Sequence, residues 1–477
     1  MSTDATIPAE RKSIQLRIKE LQFDSGTWPC PQDLLGRHAE IENLSPVLLS
    51  AQSPLVFAVD APWGGGKTTF FRLWQHYLTN QSKVSLYLNA WESDFAEDPL
   101  LPMLSMLDRW LGNQSNKPGV RAAWEKAKTY APGILKSTAV AAAKAATFGA
   151  LDLDKEYEKL ASELTGGAVG SLVDSFNVKQ KSLERFKVQL GKALDALPEG
   201  QENLILFVDE LDRCKPTYAI EVLERIKHLF DIDRLVFVLA INRDQLSKSL
   251  QGVYGSSFDG LHYLRRFIDL DYQLQLVNIN AYVSVRIKQP DILEYFKLRK
   301  SGRDDYEYGS EVLGFLAGRF KYTPRDIDQL VVRLSLVLRS IPKDHFLDMP
   351  LLIPLMVLRQ EKSDLYRRYT KNASCANEVA EFLLSGSIGD VVFDHAMAVV
   401  VGYLIAAGRD PFEQISIEYL ITPWREWHGR MMENDPQAGS VKTVIEIASD
   451  PVDFRRRREM QKLAFERIEL VNKIDVS

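Results

Sequence analysis

Cysteine is scarce in this sequence, with Cys30, Cys214 and Cys375 the three in 477 residues. They stand far apart, without the close spacing of metal ligands and without a disulfide framework. Free thiols in a reducing compartment are the simplest account, so a cytoplasmic location is expected. Long apolar runs are also lacking: no stretch of about twenty uncharged apolar residues, the length a spanning helix needs, occurs. Met1 to Lys19 is polar and mixed in charge, which excludes a signal peptide there. No single sign of charge dominates. Lys and Arg number 59 against 64 Asp and Glu, a formal net charge of −5. Nothing chain-wide therefore favours nucleic acid, although local basic patches such as Arg455 to Arg458 could meet an acidic partner, nucleic acid or anionic lipid. Internal repeats and low-complexity tracts are absent. What is present is ordinary globular composition, 45% hydrophobic, in a chain long enough for two or more domains.

The chain is organised around Ala61 to Thr69, Ala-Pro-Trp-Gly-Gly-Gly-Lys-Thr-Thr. An apolar run, Leu55 to Val59, precedes it and reads as a buried strand. Phe70 to Trp74 follows and reads as a helix. Strand, glycine-rich loop, Gly-Lys-Thr and helix together make a phosphate-binding loop. Backbone N–H groups of the turn and helix start point at phosphate, and Gly64, Gly65 and Gly66 allow close approach. Lys67 brings a cation to the β- and γ-phosphates, and the Thr68 hydroxyl is placed to ligate Mg²⁺, with Thr69 beside it. Trp63 belongs to the same loop. Ala61 stands where such loops usually begin with glycine.

A second anchor is Leu204 to Cys214. Five apolar residues ending in Asp209-Glu210 describe a buried parallel strand with acids at its tip. Asp209 is the candidate Mg²⁺ holder, directly or through water. Glu210 is the candidate to polarise the attacking water. Asp212 is the alternative acid, or else it pairs with Arg213 or caps the next helix. A helix is expected over Thr217 to Phe230, and another buried strand over Leu235 to Ile241. Asn242 at the tip of that strand can donate to a γ-phosphate and accept from water, or cap the following helix.

Around these anchors the pattern is mixed. Val84 to Leu88 reads as a strand ending in Asn89-Ala90-Trp91, where Asn89 could cap a helix and Trp91 fill core. From Pro99 to Gly200 the sequence reads as a large, mostly helical insertion. Its small-residue stretches, Ala131 to Leu151 and Thr165 to Val173, suit helix-on-helix packing. Lys136 and Lys144 would each cost about 2.5–3.5 kcal/mol at the centre of a membrane span, so membrane association is possible but not favoured. Arg265 and Arg266 diverge on either a strand or a helix, so at most one faces nucleotide. Thr323-Pro324 reads as a helix start that puts Arg325 in the first turn. Val391 to Gly408 reads as a buried helix. Beyond Ile341 there is no second catalytic motif.

Together, Leu35-Gly36-Arg37, Trp63 to Thr68, Asn89-Ala90-Trp91, Asp209 to Pro216 and Thr323 to Asp326 resemble the KAP family of P-loop NTPases. The resemblance covers about residues 31–340. It implies an α/β fold, a P-loop NTPase parallel sheet of the additional-strand type, with a helical insertion, a helical lid bearing Arg325 and a helical C-terminal region. It implies ATP and Mg²⁺ as ligands, with Gly36 and Arg37 near the base and a second copy or a protein partner receiving the nucleotide-driven change. Many members carry transmembrane helices where this chain has its charged insertion. Some bacterial relatives resemble phage-exclusion proteins. The expected domains are an N-terminal segment 1–30, a core 31–290 with its insertion at about 99–200, a lid 291–345 and a helical domain 346–477. The expected activity is ATP hydrolysis coupled to a conformational or assembly change. The alternatives are a nucleotide-stabilised scaffold or a peripheral membrane organiser with little turnover.

Overall fold

In the computed structural model, the described residues are 28–31, 33–52, 54–114, 117–135, 172–197, 203–275, 278–299, 303–342, 345–407, 418–432, 434–450 and 454–473. The Ala9–Leu21 stretch, most of both small-residue stretches, and the side chains of Arg455 to Arg458 lie outside them. The described residues form two compact units, divided after Gln275.

The first unit is built on a parallel sheet of β1 (Leu55–Asp60), β2 (Ser85–Asn89), β3 (Leu204–Asp209), β4 (Leu235–Ile241) and β5 (Leu270–Gln273). The spatial order is β2-β3-β4-β1-β5. Strand β4 therefore lies between the phosphate-loop strand and the acidic strand, the arrangement for which additional-strand NTPases are named. Every residue of β3 and β4 is buried, which explains why their sequences are unbroken apolar runs rather than alternations.

Strand side chains alternate between faces, and the core divides accordingly. Val56, Ala58, Leu206, Val208, Phe237 and Leu239 point to one side. There they meet α3 (Leu100–Leu111), α4 (Pro118–Tyr130), α5 (Leu172–Asp195), α6 (Pro216–Leu229) and α7 (Arg243–Tyr254). Phe57, Val59, Ile205, Phe207, Val236 and Val238 point to the other side, against α1 (His38–Leu49) and α2 (Lys67–Asn80). Both faces are thus covered by helices, and the strand tips are where loops can form a site. In the insertion, Asp108 ties α3 to α4, accepting from Trp124 Nε1 at 2.7 Å and Lys128 Nζ at 2.8 Å.

Arg265 and Arg266 follow a short helix, α8 (Gly260–Leu264), whose N-cap is Asp259. The edge strand β5 comes just after them, four residues that are mostly exposed.

The second unit is helical throughout its described residues. It runs from α9 (Ile279–Arg286) through α10 (Pro290–Arg299), α11 (Arg303–Arg319) and α12 (Pro324–Ser340). It continues with α13 (Met349–Glu361), α14 (Ser363–Lys371), α15 (Ala376–Leu384), α16 (His395–Ala407), α17 (Glu418–Arg430), α18 (Ala438–Ser449) and α19 (Phe454–Asn472). Helix α16 is the buried helix expected within Val391 to Gly408. It passes so close to α18 that a Cβ at Gly402 would stand 2.7 Å from Ile447 Cβ, so only glycine fits there. Thr323 caps α12 through a capping box: its hydroxyl accepts from Asp326 N, and the Asp326 carboxylate accepts from Thr323 N at 2.8 Å.

Candidate nucleotide-binding site

The phosphate loop is shaped by its glycines. Gly64 and Gly66 have φ of 78° and 88°, a conformation that costs a side chain steric strain and glycine none. A Cβ at Gly65 would meet the Pro62 carbonyl oxygen at 3.0 Å. The concave backbone that results leads straight into the N-terminus of α2, where free N–H groups and the helix dipole favour an anion.

Lys67, the first residue of α2, is 8% exposed. Its ammonium donates to the Ala61 carbonyl at 2.7 Å and lies 3.8 Å from Asp212 Oδ2. Burial lowers its pKa, while Asp212, Asp209 and Asp60 oppose that shift. The ammonium is therefore held by its own loop's carbonyl and by a ring of acids, contacts that a phosphate could replace. Thr68 is exposed and Thr69 half-buried.

Asp209 ends β3 and is 1% exposed. Tyr87 on neighbouring β2 donates to its Oδ2 at 2.8 Å, and the backbone N–H of Glu210 donates to Oδ1 at 2.8 Å. Burial and the Asp209 charge hold Tyr87 protonated, so it remains a donor. Arg72 sits over the Tyr87 ring at 3.7 Å. The carboxylate of Asp209 and the hydroxyl of Thr68 are oxygen donors of the kind Mg²⁺ takes, and a carboxylate has lone pairs to spare beyond these two bonds. The donor set fits a magnesium nucleotide.

Glu210 has φ of 58°, a left-handed backbone, and begins a 3-10 turn, Leu211–Arg213. Its carboxylate pairs with Arg213 at 3.0 Å. Asp212 pairs with neither Arg213 nor a helix start. Its side chain is 1% exposed, and its Oδ2 accepts from Trp63 Nε1 at 2.6 Å. The structure thus differs from both structural roles read for Asp212, because the turn points it inward to the phosphate loop. Its burial also makes it the less accessible of the two acids to an attacking water.

At the tip of β4, Asn242 caps α7, accepting from Gln245 N at 3.2 Å. Its amide NH₂ group is not used by that cap. Asp60, which ends β1, accepts from Arg243 N at 3.0 Å, tying the two strand tips together. Burial raises the Asp60 pKa. Gly36 takes φ of 69°, and Leu35 packs toward the loop, its Cδ1 3.7 Å from where a Cβ at Gly66 would stand. Arg37 is 1% exposed and forks onto Glu40 at 2.9 and 3.0 Å. Its Nη2 is buried without a hydrogen-bond partner among the described residues. Arg265 and Arg266 are exposed in this unit, and Arg325 is exposed in the second, in the first turn of α12.

The KAP family P-loop domain matches residues 37–341. This chain belongs to the KAP family. Its KAP region carries the phosphate loop, the acidic turn and the Asn242 tip on one edge of the sheet. Among curated proteins, the phage T7 exclusion protein of Escherichia coli (strain K12) is 21% identical over 262 residues, 53% of this KAP chain. The aligned stretch is 34% of that protein, so the chain spans about a third of the relative's length. Among solved structures, the ORC2 protein of Aeropyrum pernix in its ADPNP-ADP complexes aligns at 10% identity with a TM-score of 0.30. That alignment covers 92% of this chain and 95% of the other.

Sequence reasoning missed Asp60, Tyr87 and the bond from Trp63 to Asp212. Strand β1 runs one residue further than its apolar core suggests, which is why Asp60 read as loop. Tyr87 meets Asp209 because β2 pairs beside β3 with Asn89 opposite Asp209. That neighbour relation is tertiary, and the sequence carried no signal for it. Asn89 does cap, accepting from Trp91 N at 3.1 Å, but Trp91 is half exposed rather than core.

Proposed function

We propose that this KAP chain binds ATP with Mg²⁺, hydrolyses it, and uses the nucleotide state to drive a conformational or assembly change. The observation that carries this reading is the convergence of one buried ammonium, Lys67, with the acids Asp209 and Asp212 beside a glycine loop shaped for an anion.

In this reading the loop N–H groups and Lys67 hold the β- and γ-phosphates. Thr68 and Asp209 hold Mg²⁺, which neutralises charge on the phosphate oxygens. Glu210 orients and polarises water once its carboxylate leaves Arg213. The free amide of Asn242 contacts the γ-phosphate. Leu35 and Gly36 border the base, and buried Arg37 braces that turn through Glu40. Positive charge beyond Lys67 comes from Arg325 on a helical lid, or from Arg265 or Arg266 of a second copy. The relative's name, phage T7 exclusion protein, supports a role in excluding phage, with a second copy or another protein as the partner that reads the nucleotide state.

The test is Lys67→Ala. Wild type should gain thermal stability from Mg–ATP and turn it over, while the variant stays folded and does neither. Equal ATP affinity and turnover in the two proteins would refute the reading. Stabilisation by ATP without turnover in wild type would leave a nucleotide-stabilised scaffold.

A further inference from the structure

One buried acid in the site has no part in the roles above. Asp212 sits in the turn Leu211–Arg213 with its side chain 1% exposed. A carboxylate so placed needs partners, since burying an unpaired charge is costly. It has two, and both come from the phosphate loop. Oδ2 accepts the Trp63 indole N–H at 2.6 Å and faces the Lys67 ammonium at 3.8 Å. The second distance is a charge contact rather than a hydrogen bond, because the ammonium donates to Ala61 O instead.

Trp63 is equally out of place as core. It is 48% exposed, in a loop otherwise made of small residues. Indole Nε1 can only donate, so it requires an acceptor, and it reaches across 149 positions of sequence to find this one. Trp63 lies two residues beyond Ala61, which holds Lys67. Asp212 lies two residues beyond Glu210, whose φ of 58° must be imposed by its surroundings. The bond therefore joins the two loops close to the groups that bind phosphate and activate water.

We propose that Asp212 is a positioning residue for Lys67, and that the Trp63–Asp212 bond couples filling of the phosphate loop to the placement of Glu210. With the loop empty, Asp212 holds the ammonium. Phosphates arriving at the loop compete with Asp212 for Lys67, and the released strain passes through Trp63 and the turn to Glu210. The inference rests on the reading of this site as an ATP site, and it adds a device to that site.

Two conservative variants separate the parts of the device. Trp63→Phe keeps the ring and loses the donor. Asp212→Asn keeps the shape and an acceptor and loses the charge. Nucleotide Kd, the single-turnover rate with Mg–ATP and the melting temperature are measured for each and for the double variant. Asp212→Asn should tighten ATP several-fold, because a negative charge that competes for Lys67 is gone. Trp63→Phe should leave Kd little changed and slow the single-turnover rate by about tenfold, the scale expected when a reacting group is misplaced. The double variant should be no slower than the slower single variant, since both act through one bond.

Singles that match wild type in Kd and rate, or rate losses that multiply in the double variant, overturn the proposal. If wild type binds ATP without turnover, Kd decides, and an unchanged Kd in Asp212→Asn overturns it. If wild type binds no nucleotide, the ATP reading itself fails and the coupling device falls with it. If wild type binds and hydrolyses ATP while both variants behave normally, the device alone falls.

Discussion

Glu210 adopts a left-handed backbone that costs a residue with a Cβ about 1–2 kcal/mol. Such strain persists only where neighbours over-determine it. Here the neighbours are identifiable. Asp209 takes the Glu210 N–H, Arg213 takes its carboxylate, and the Cys214 thiol donates to its carbonyl at 3.6 Å. Burial, reinforced by Asp94, Asp212 and Glu210, pushes the Cys214 pKa up to about 12. At pH 8 almost no thiolate exists there, and the thiolate is the nucleophile. Cys30 is buried as well, whereas Cys375 is partly exposed. An alkylating reagent at pH 8 should therefore label Cys375 first and reach Cys30 and Cys214 only on unfolding, as peptide mass mapping would show. Rapid labelling of Cys214 in the folded protein would mean that the acidic turn is open. The residues legible in the sequence were those whose chemistry is fixed by local order: Lys67 after glycines, Asp209 and Glu210 at the end of an apolar run. Asp212 was legible as an acid but not in its partner, because Trp63 is supplied by a loop remote in sequence.

At the scale of elements, the four longer strands announce themselves as apolar runs because helices cover both faces of the sheet. Strand β5 does not. Leu-Asp-Tyr-Gln sits on the sheet edge, mostly exposed, and its pairing with β1 alone makes it a strand. Helix α8 escaped a firm assignment for a related reason, being only five residues long. Helix α12 was legible from Thr323-Pro324, and its capping box adds Asp326 to that signal. Thr323→Ala should lower stability by about 1 kcal/mol, the usual worth of such a cap, with Thr323→Ser closer to wild type. Urea unfolding midpoints of the two variants check this. An unchanged midpoint in Thr323→Ala would show that packing of the buried face of α12, not its cap, fixes the helix start.

At the scale of the whole molecule, a KAP core with a complete phosphate loop and acidic strand is followed by a helical unit that ends near residue 473. No described helix is long and apolar enough to cross a membrane, in contrast to many members of the family. The function argued for the chain depends on turnover, because nucleotide state can drive change only if it changes. That requirement falls on Glu210. The decisive measurement is single-turnover hydrolysis of Mg–ATP by the full chain, wild type against Glu210→Gln, with ATP affinity measured alongside. The account predicts that the variant binds ATP about as tightly as wild type yet hydrolyses it slower by about a hundredfold or more, the contribution of a positioned general base. Equal rates in the two proteins would contradict it.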